Sequence, residues 1–70
     1  MKHSLKFEIY HDGEYYCARC FDLDIFTQGK TLDEVNNNIR EGVQLYFEDN
    51  ETALHIEDYN NILTVMEMAI

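Results

Sequence analysis

Cys17-Ala18-Arg19-Cys20 has the C-x-x-C spacing that redox pairs and zinc sites use. The surrounding residues change what that spacing means. Tyr15-Tyr16-Cys17-Ala18-Arg19-Cys20 is rich in strand formers, and residues three apart on a strand point to opposite faces. Two thiols so placed neither pair nor chelate together. A redox motif needs the start of a helix, and a zinc site needs two more ligands. His3, His11 and His55 are the remaining candidates, without a second paired motif among them. We therefore expect two small buried thiols in a reducing compartment, and no metal or cofactor. Asp22, Asp24 and Glu8 are the carboxylates to weigh for a magnesium site. Such a site needs converging oxygens. Asp22 and Asp24 read as a connection, whereas Glu8 alternates with core residues and faces away from them. No nucleophile–base pair, phosphate loop or nucleotide motif is present. The expected chemistry is recognition, not catalysis.

The elements that would position these groups follow from periodicity. Leu5, Phe7 and Ile9 alternate with Lys6, Glu8 and Tyr10, the pattern of a half-buried strand. His11-Asp12-Gly13-Glu14 breaks it, and Asp-Gly between two strand-like runs signals a hairpin. On the second strand, Tyr16, Ala18 and Cys20 are expected toward the core, with Tyr15, Cys17 and Arg19 opposite. Ile25-Phe26-Thr27-Gln28 reads as a short third strand. Gly29 then suits a chain reversal. Thr31 and Glu34 have the spacing of a capping box, in which each side chain satisfies a backbone N–H that the helix leaves free. Phe26 and Leu32 are expected in the core.

Leu32, Val35, Ile39, Val43, Tyr46 and Phe47 form one apolar stripe on a helix from about 32 to 48. Gly42 inside it suggests close approach of the helix to the sheet. Residues 49–61 carry no clear period; Leu54-His55-Ile56-Glu57 reads as a short extended piece or an anchored loop. The last run, Ile62 to Ile70, is apolar on both faces, and such a strand should be covered on both. One helix supplies one cover, so another subunit is expected to supply the second. Tyr10, Tyr15, Arg19, Met66, Met68 and Ile70 are the candidate interface residues, since aromatic, Met and Arg side chains are enriched at protein contacts.

Seventy residues make one domain, 1–70, with a marginal core of its own. The net charge of −9 argues against a nucleic-acid surface. No run of ~18 apolar residues is present to span a membrane, and the N-terminus lacks a signal-peptide core. A cytoplasmic location is expected.

Asp12-Gly13, Tyr16, Ala18, Asp22-Leu23 and above all Thr27-Gln28-Gly29-Lys30-Thr31-Leu32-Asp33-Glu34 resemble the N-terminal domain of the HicB antitoxin family. Ile39, Glu41, Val43, Leu45, Tyr46 and Glu48 are similar to that family's helix. Phe21 stands where the family usually has Pro, and Asp24-Ile25 replaces a Pro-Gly-Cys segment. The resemblance implies an α+β fold: a β-β-β-α-β domain with an antiparallel-rich sheet, one helix on one face, similar to part of the ribonuclease H fold. It implies a type II antitoxin without catalytic activity. Its partner would be a small basic HicA-like toxin that cleaves mRNA, neutralised when its catalytic surface is covered. Dimers or tetramers are expected. The DNA-binding domain of many HicB antitoxins has no counterpart in this sequence, so no direct nucleic-acid binding is implied. The alternative is a stand-alone homo-oligomeric regulatory or structural domain.

Overall fold

The computed structural model describes residues 3–49, 59–68 and 70. Its elements are strands β1 (His3–His11), β2 (Tyr16–Cys20) and β3 (Phe26–Gly29), helix α1 (Leu32–Asp49) and strand β4 (Tyr59–Met66). They form a four-stranded sheet in the order β3-β2-β1-β4. The β1–β2 and β2–β3 pairings are antiparallel, and β4 runs parallel to β1. The sheet is therefore mixed, and the protein is a small α+β domain. Parallel neighbours cannot be joined by a tight hairpin, and here α1 lies in the connection from β3 to β4. The expected extended piece or loop at 54–57 lies outside the described residues. Among the described residues, no helix is long and apolar enough to cross a membrane.

One face of the sheet meets the helix. Leu5, Phe7, Ile9, Ala18 and Cys20 are buried there against Val35, Ile39 and Val43, as their periodicities require. Tyr16, Leu23, Tyr46, Phe47 and Tyr59 pack around this cluster half-buried. At the far end of α1, the Phe47 ring lies edge-on to Tyr46 at 5.5 Å and tilted to Tyr59 at 5.8 Å, fastening the start of β4 to the helix.

The β1–β2 turn is built by Asp12. Its Oδ1 accepts the backbone N–H groups of Glu14 (2.9 Å) and Tyr15 (2.7 Å), and its own N–H donates to the Tyr15 carbonyl at 3.0 Å. Gly13 has φ +103°, a conformation that other residues rarely adopt. Tyr15 consequently belongs to the turn, and β2 begins one residue later than the strand-forming run suggests.

Three expectations about the next junction are corrected. Phe26 is 56% exposed and Leu32 39%, so neither belongs to the core. Ile25, just before β3, fills that place. Adjacent strand residues face opposite ways, so once Ile25 points inward Phe26 must point out. Second, Gly29 lies within β3, and Gly13 is the residue with positive φ among those described. The reason for a glycine at 29 is space: a Cβ there would lie 2.7 Å from the Val35 nitrogen and 2.8 Å from the Glu34 Cβ. Third, the cap is asymmetric. Thr31 Oγ1 accepts the N–H of Glu34 at 3.1 Å, but the Glu34 carboxylate takes the N–H of Lys30 (2.7 Å) where that of Thr31 was expected. Asn38 Nδ2 adds a 2.7 Å bond to the Gln28 carbonyl, tying the helix to β3 a turn further on.

These contacts separate two glycines that look alike in sequence. Gly29→Ala should destabilise the fold by about 1–3 kcal/mol, because backbone must move to admit the methyl group. Gly42→Ala meets only Ile25 Cγ2, at an ordinary 3.4 Å, and should stabilise by up to about 1 kcal/mol through helix propensity. Urea denaturation of the two variants should shift the midpoint in opposite directions.

Candidate functional site

With the helix on one face, the opposite face of the sheet carries the residues of the other parity. The strand registers set Val65, Glu8, Arg19 and Phe26 in one row across all four strands. Glu8 and Arg19 form an ion pair at 3.4 Å in its middle. Exposed Val65 and Phe26 flank that pair. Tyr10, Cys17 and Gln28 form the next row, and Lys6 pairs with Leu63 on the other side. The surface is thus a shallow band with a charged centre and apolar ends. An exposed pair of this kind contributes little to stability; here it orients two side chains in the middle of an open sheet.

The two cysteines lie on opposite faces, as strand alternation requires. Cys20 pairs with Phe7 within the core, and Cys17 pairs with Tyr10 on the outer face. Cys17 is nonetheless only 3% exposed. The β1–β2 turn folds against it: its Sγ lies 3.6 Å from Asp12 Oδ2 and 3.9 Å from the Tyr15 carbonyl. Burial, followed by the neighbouring Asp12 carboxylate, pushes the Cys17 thiol above its usual pKa. Asp12 is shifted the other way, held below the ordinary carboxylate range by the backbone N–H groups of Tyr15 and Glu14. Such a thiol is a poor nucleophile. Asp22 and Asp24 are exposed in the β2–β3 connection, and Glu8 is engaged with Arg19. Among the described residues, no three His, Cys, Asp or Glu side chains gather as a metal site.

The candidate interface residues divide between surfaces. Tyr10 and Arg19 share the outer face, and Tyr15 sits half-buried in the hairpin turn beside it. Met66 pairs with Ile9 and so lies on the helix side of the sheet. Met68 and Ile70 lie beyond the end of β4 and are strongly exposed. Sequence reasoning missed Phe26, Leu63 and Val65 as outer-face residues. Their period-two placement held the signal for Leu63 and Val65. For Phe26, the adjacent Ile25 left open which of the two would turn inward.

β4 is the outer strand of the sheet, and its apolar residues are exposed on both sides. Leu63 and Val65 are each 48% exposed on the outer face, with Ile62 37% and Met66 47% exposed on the helix side. Between β4 and the helix runs an open groove of ≈ 220 Å³ lined by Asn36, Ile39, Arg40, Ile62 and Thr64. The helix thus leaves the near side of β4 uncovered. No protein-family model, curated protein or solved structure matches this chain.

The Asp12 turn makes a pH prediction. A carboxyl whose pKa is depressed on folding contributes stability that is present above the unfolded value of 3.8 and is lost as pH falls through the lower folded value. Asp12→Asn keeps an acceptor oxygen for both N–H groups but does not titrate. The gap in melting temperature between native and variant proteins should therefore be largest above about pH 5 and should close as the solution becomes more acidic than the native Asp12 pKa.

Proposed function

We propose that this chain is a HicB-like antitoxin domain that binds a small basic HicA-like ribonuclease and covers its mRNA-cleaving surface. On this reading it is a cytoplasmic, non-catalytic partner of a type II toxin, with a sheet and helix similar to part of the ribonuclease H fold. The observation that carries the proposal is the junction from Thr27 to Glu34. Three of the residues that make the family resemblance specific also have a physical task there. Gly29 admits the first turn of the helix, Thr31 caps it, and Glu34 reaches back to Lys30. The β-β-β-α-β order supports the same reading.

Charge supports the direction of recognition. A ribonuclease holds RNA phosphates on basic side chains. A chain of net charge −9 presents carboxylates that can compete for them. Asp33, Glu34, Glu41 and Glu48 are exposed along α1, and Asp22 and Asp24 on the β2–β3 connection. The exposed apolar side chains of β4 favour the second reading, a stand-alone homo-oligomeric domain that acts without a toxin.

Co-expression with the product of the adjacent reading frame, which the antitoxin reading expects to be a small basic protein, separates the two. The antitoxin reading expects that protein to co-purify and to lose RNA cleavage in the complex, with binding that weakens as salt is added. A neighbour that neither co-purifies nor loses RNA cleavage overturns it.

A further inference from the structure

β4 is unusual for an outer strand. Natural edge strands are guarded by charge, proline, bulges or shortness. Tyr59-Asn60-Asn61-Ile62-Leu63-Thr64-Val65-Met66 contains no charged residue and no proline, in a chain of which 27% is charged. Its one irregularity lies at the start, where the register shifts opposite His3 and Ser4. The other outer strand, β3, has only four residues, and Asn38 already occupies its Gln28 carbonyl. Among the described residues no strand pairs with the outer edge of β4, which is therefore the place where this sheet can grow.

The direction of its backbone groups can be read. Glu67 donates its N–H to the Ile9 carbonyl at 3.1 Å. Backbone groups alternate sides along a strand, so residues 63, 65 and 67 bond toward β1. Ile62, Thr64 and Met66 consequently turn their N–H and C=O groups to the free edge.

From this we infer that β4 pairs antiparallel with β4 of a second copy of this chain, about a two-fold axis at Thr64. Thr64 then exchanges hydrogen bonds with the partner's Thr64, and Ile62 does so with the partner's Met66. Leu63 lies across from the partner's Val65. Every outward backbone group of residues 62, 64 and 66 is satisfied, and each exposed apolar side chain gains an apolar neighbour. The result is a continuous eight-stranded sheet with both helices on one side. It is closed: each copy uses its β4 edge on the other, and the strands left outside are the four-residue β3 strands. The run about Thr64 selects the second copy as occupant, because Ile62-Leu63-Thr64-Val65-Met66 is apolar on both sides of Thr64 and complements itself when antiparallel. Two chains of net charge −9 repel at most of their surface. A neutral strand is where they can meet, and this register sets Glu67 opposite the partner's Asn61, away from a second carboxylate. A pairing centred one residue earlier, on Leu63, would oppose Ile62 to Thr64 and leave Val65 against Asn61. This interface stands whether or not the protein is an antitoxin.

Sedimentation of the native protein at micromolar concentration should show two 8.3 kDa chains in association, tighter as salt screens the repulsion. Thr64→Lys sets two ammonium groups against each other and should raise the dissociation constant about tenfold or more while far-UV circular dichroism stays native. Thr64→Cys should close an intermolecular disulfide under mild oxidation, because paired Cα atoms in this register lie about 5.5 Å apart. Leu63→Cys should not, being offset from its own copy by two residues, roughly 7 Å along the strand. A native protein that stays monomeric overturns the proposal. So does association indifferent to Thr64→Lys, or cross-linking of Leu63→Cys as fast as Thr64→Cys. Association that appears only with a different protein on the β4 edge overturns it as well.

Discussion

One helix cannot cover both faces of a sheet, and the rest of this structure follows from that limit. α1 has 18 residues and so is about 27 Å long, with a body about 10 Å across. Four strands spaced about 4.8 Å apart are wider than that body, and they have a second face on the other side. The helix is fixed over one part of the sheet by β3, where Gly29 lets its first turn come close and Asn38 holds Gln28. The largest fully buried side chains, Phe7 and Leu5 of the sheet and Ile39 and Val35 of the helix, meet between the two. β4, at the far edge from β3, receives aromatic contact at its start, through Tyr59 and Phe47. From Asn61 to Met66 its side chains are exposed on both faces.

The parts of the fold legible in sequence are those decided by local period and by the one core. Leu5, Phe7 and Ile9 alternate, and Val35, Ile39 and Val43 step around a helix; both sets are buried together. The parts that were not legible depend on which neighbour a residue meets. Ile25 and Phe26 are equally apolar, and only the pairing of Phe26 with Arg19 decides that Ile25 turns inward. Glu34 has several free N–H groups within reach, and the close packing at Gly29 brings that of Lys30 to it. Gly29 reads as a reversal because glycine often is one, although its task here is to leave room.

β4 shows a different limit. A strand apolar on both faces reads as a central strand, yet within one chain it is the edge. Sequence records the total cover a strand receives, from its own chain and from others, without saying which supplies it. The candidate interface residues combine residue type with the non-core strand face and the need to cover the last strand. Type identifies what tends to be covered, but the strand register separates Tyr10 and Arg19 on the outer face from Met66 on the helix side.

The exposed carboxylates of α1 and the neutral β4 edge lie on different elements of this molecule, and that separation has a functional consequence. Carboxylates line the exposed side of α1 and the β2–β3 connection, whereas β4 is neutral along its whole length. Repulsion between like-charged copies removes the acidic surface from any self-contact, which leaves that surface open to a basic partner. The neutral edge has the opposite property, since it gives a basic partner no charge to recognise and a second copy no charge to avoid. The two kinds of association therefore need not compete for the same residues. Joining through β4 would set both helices on one side of a common sheet and leave the acidic side of each helix exposed. A paired sheet of this kind would present two copies of the acidic surface from one rigid body, and a partner able to engage both would gain from the second contact being intramolecular.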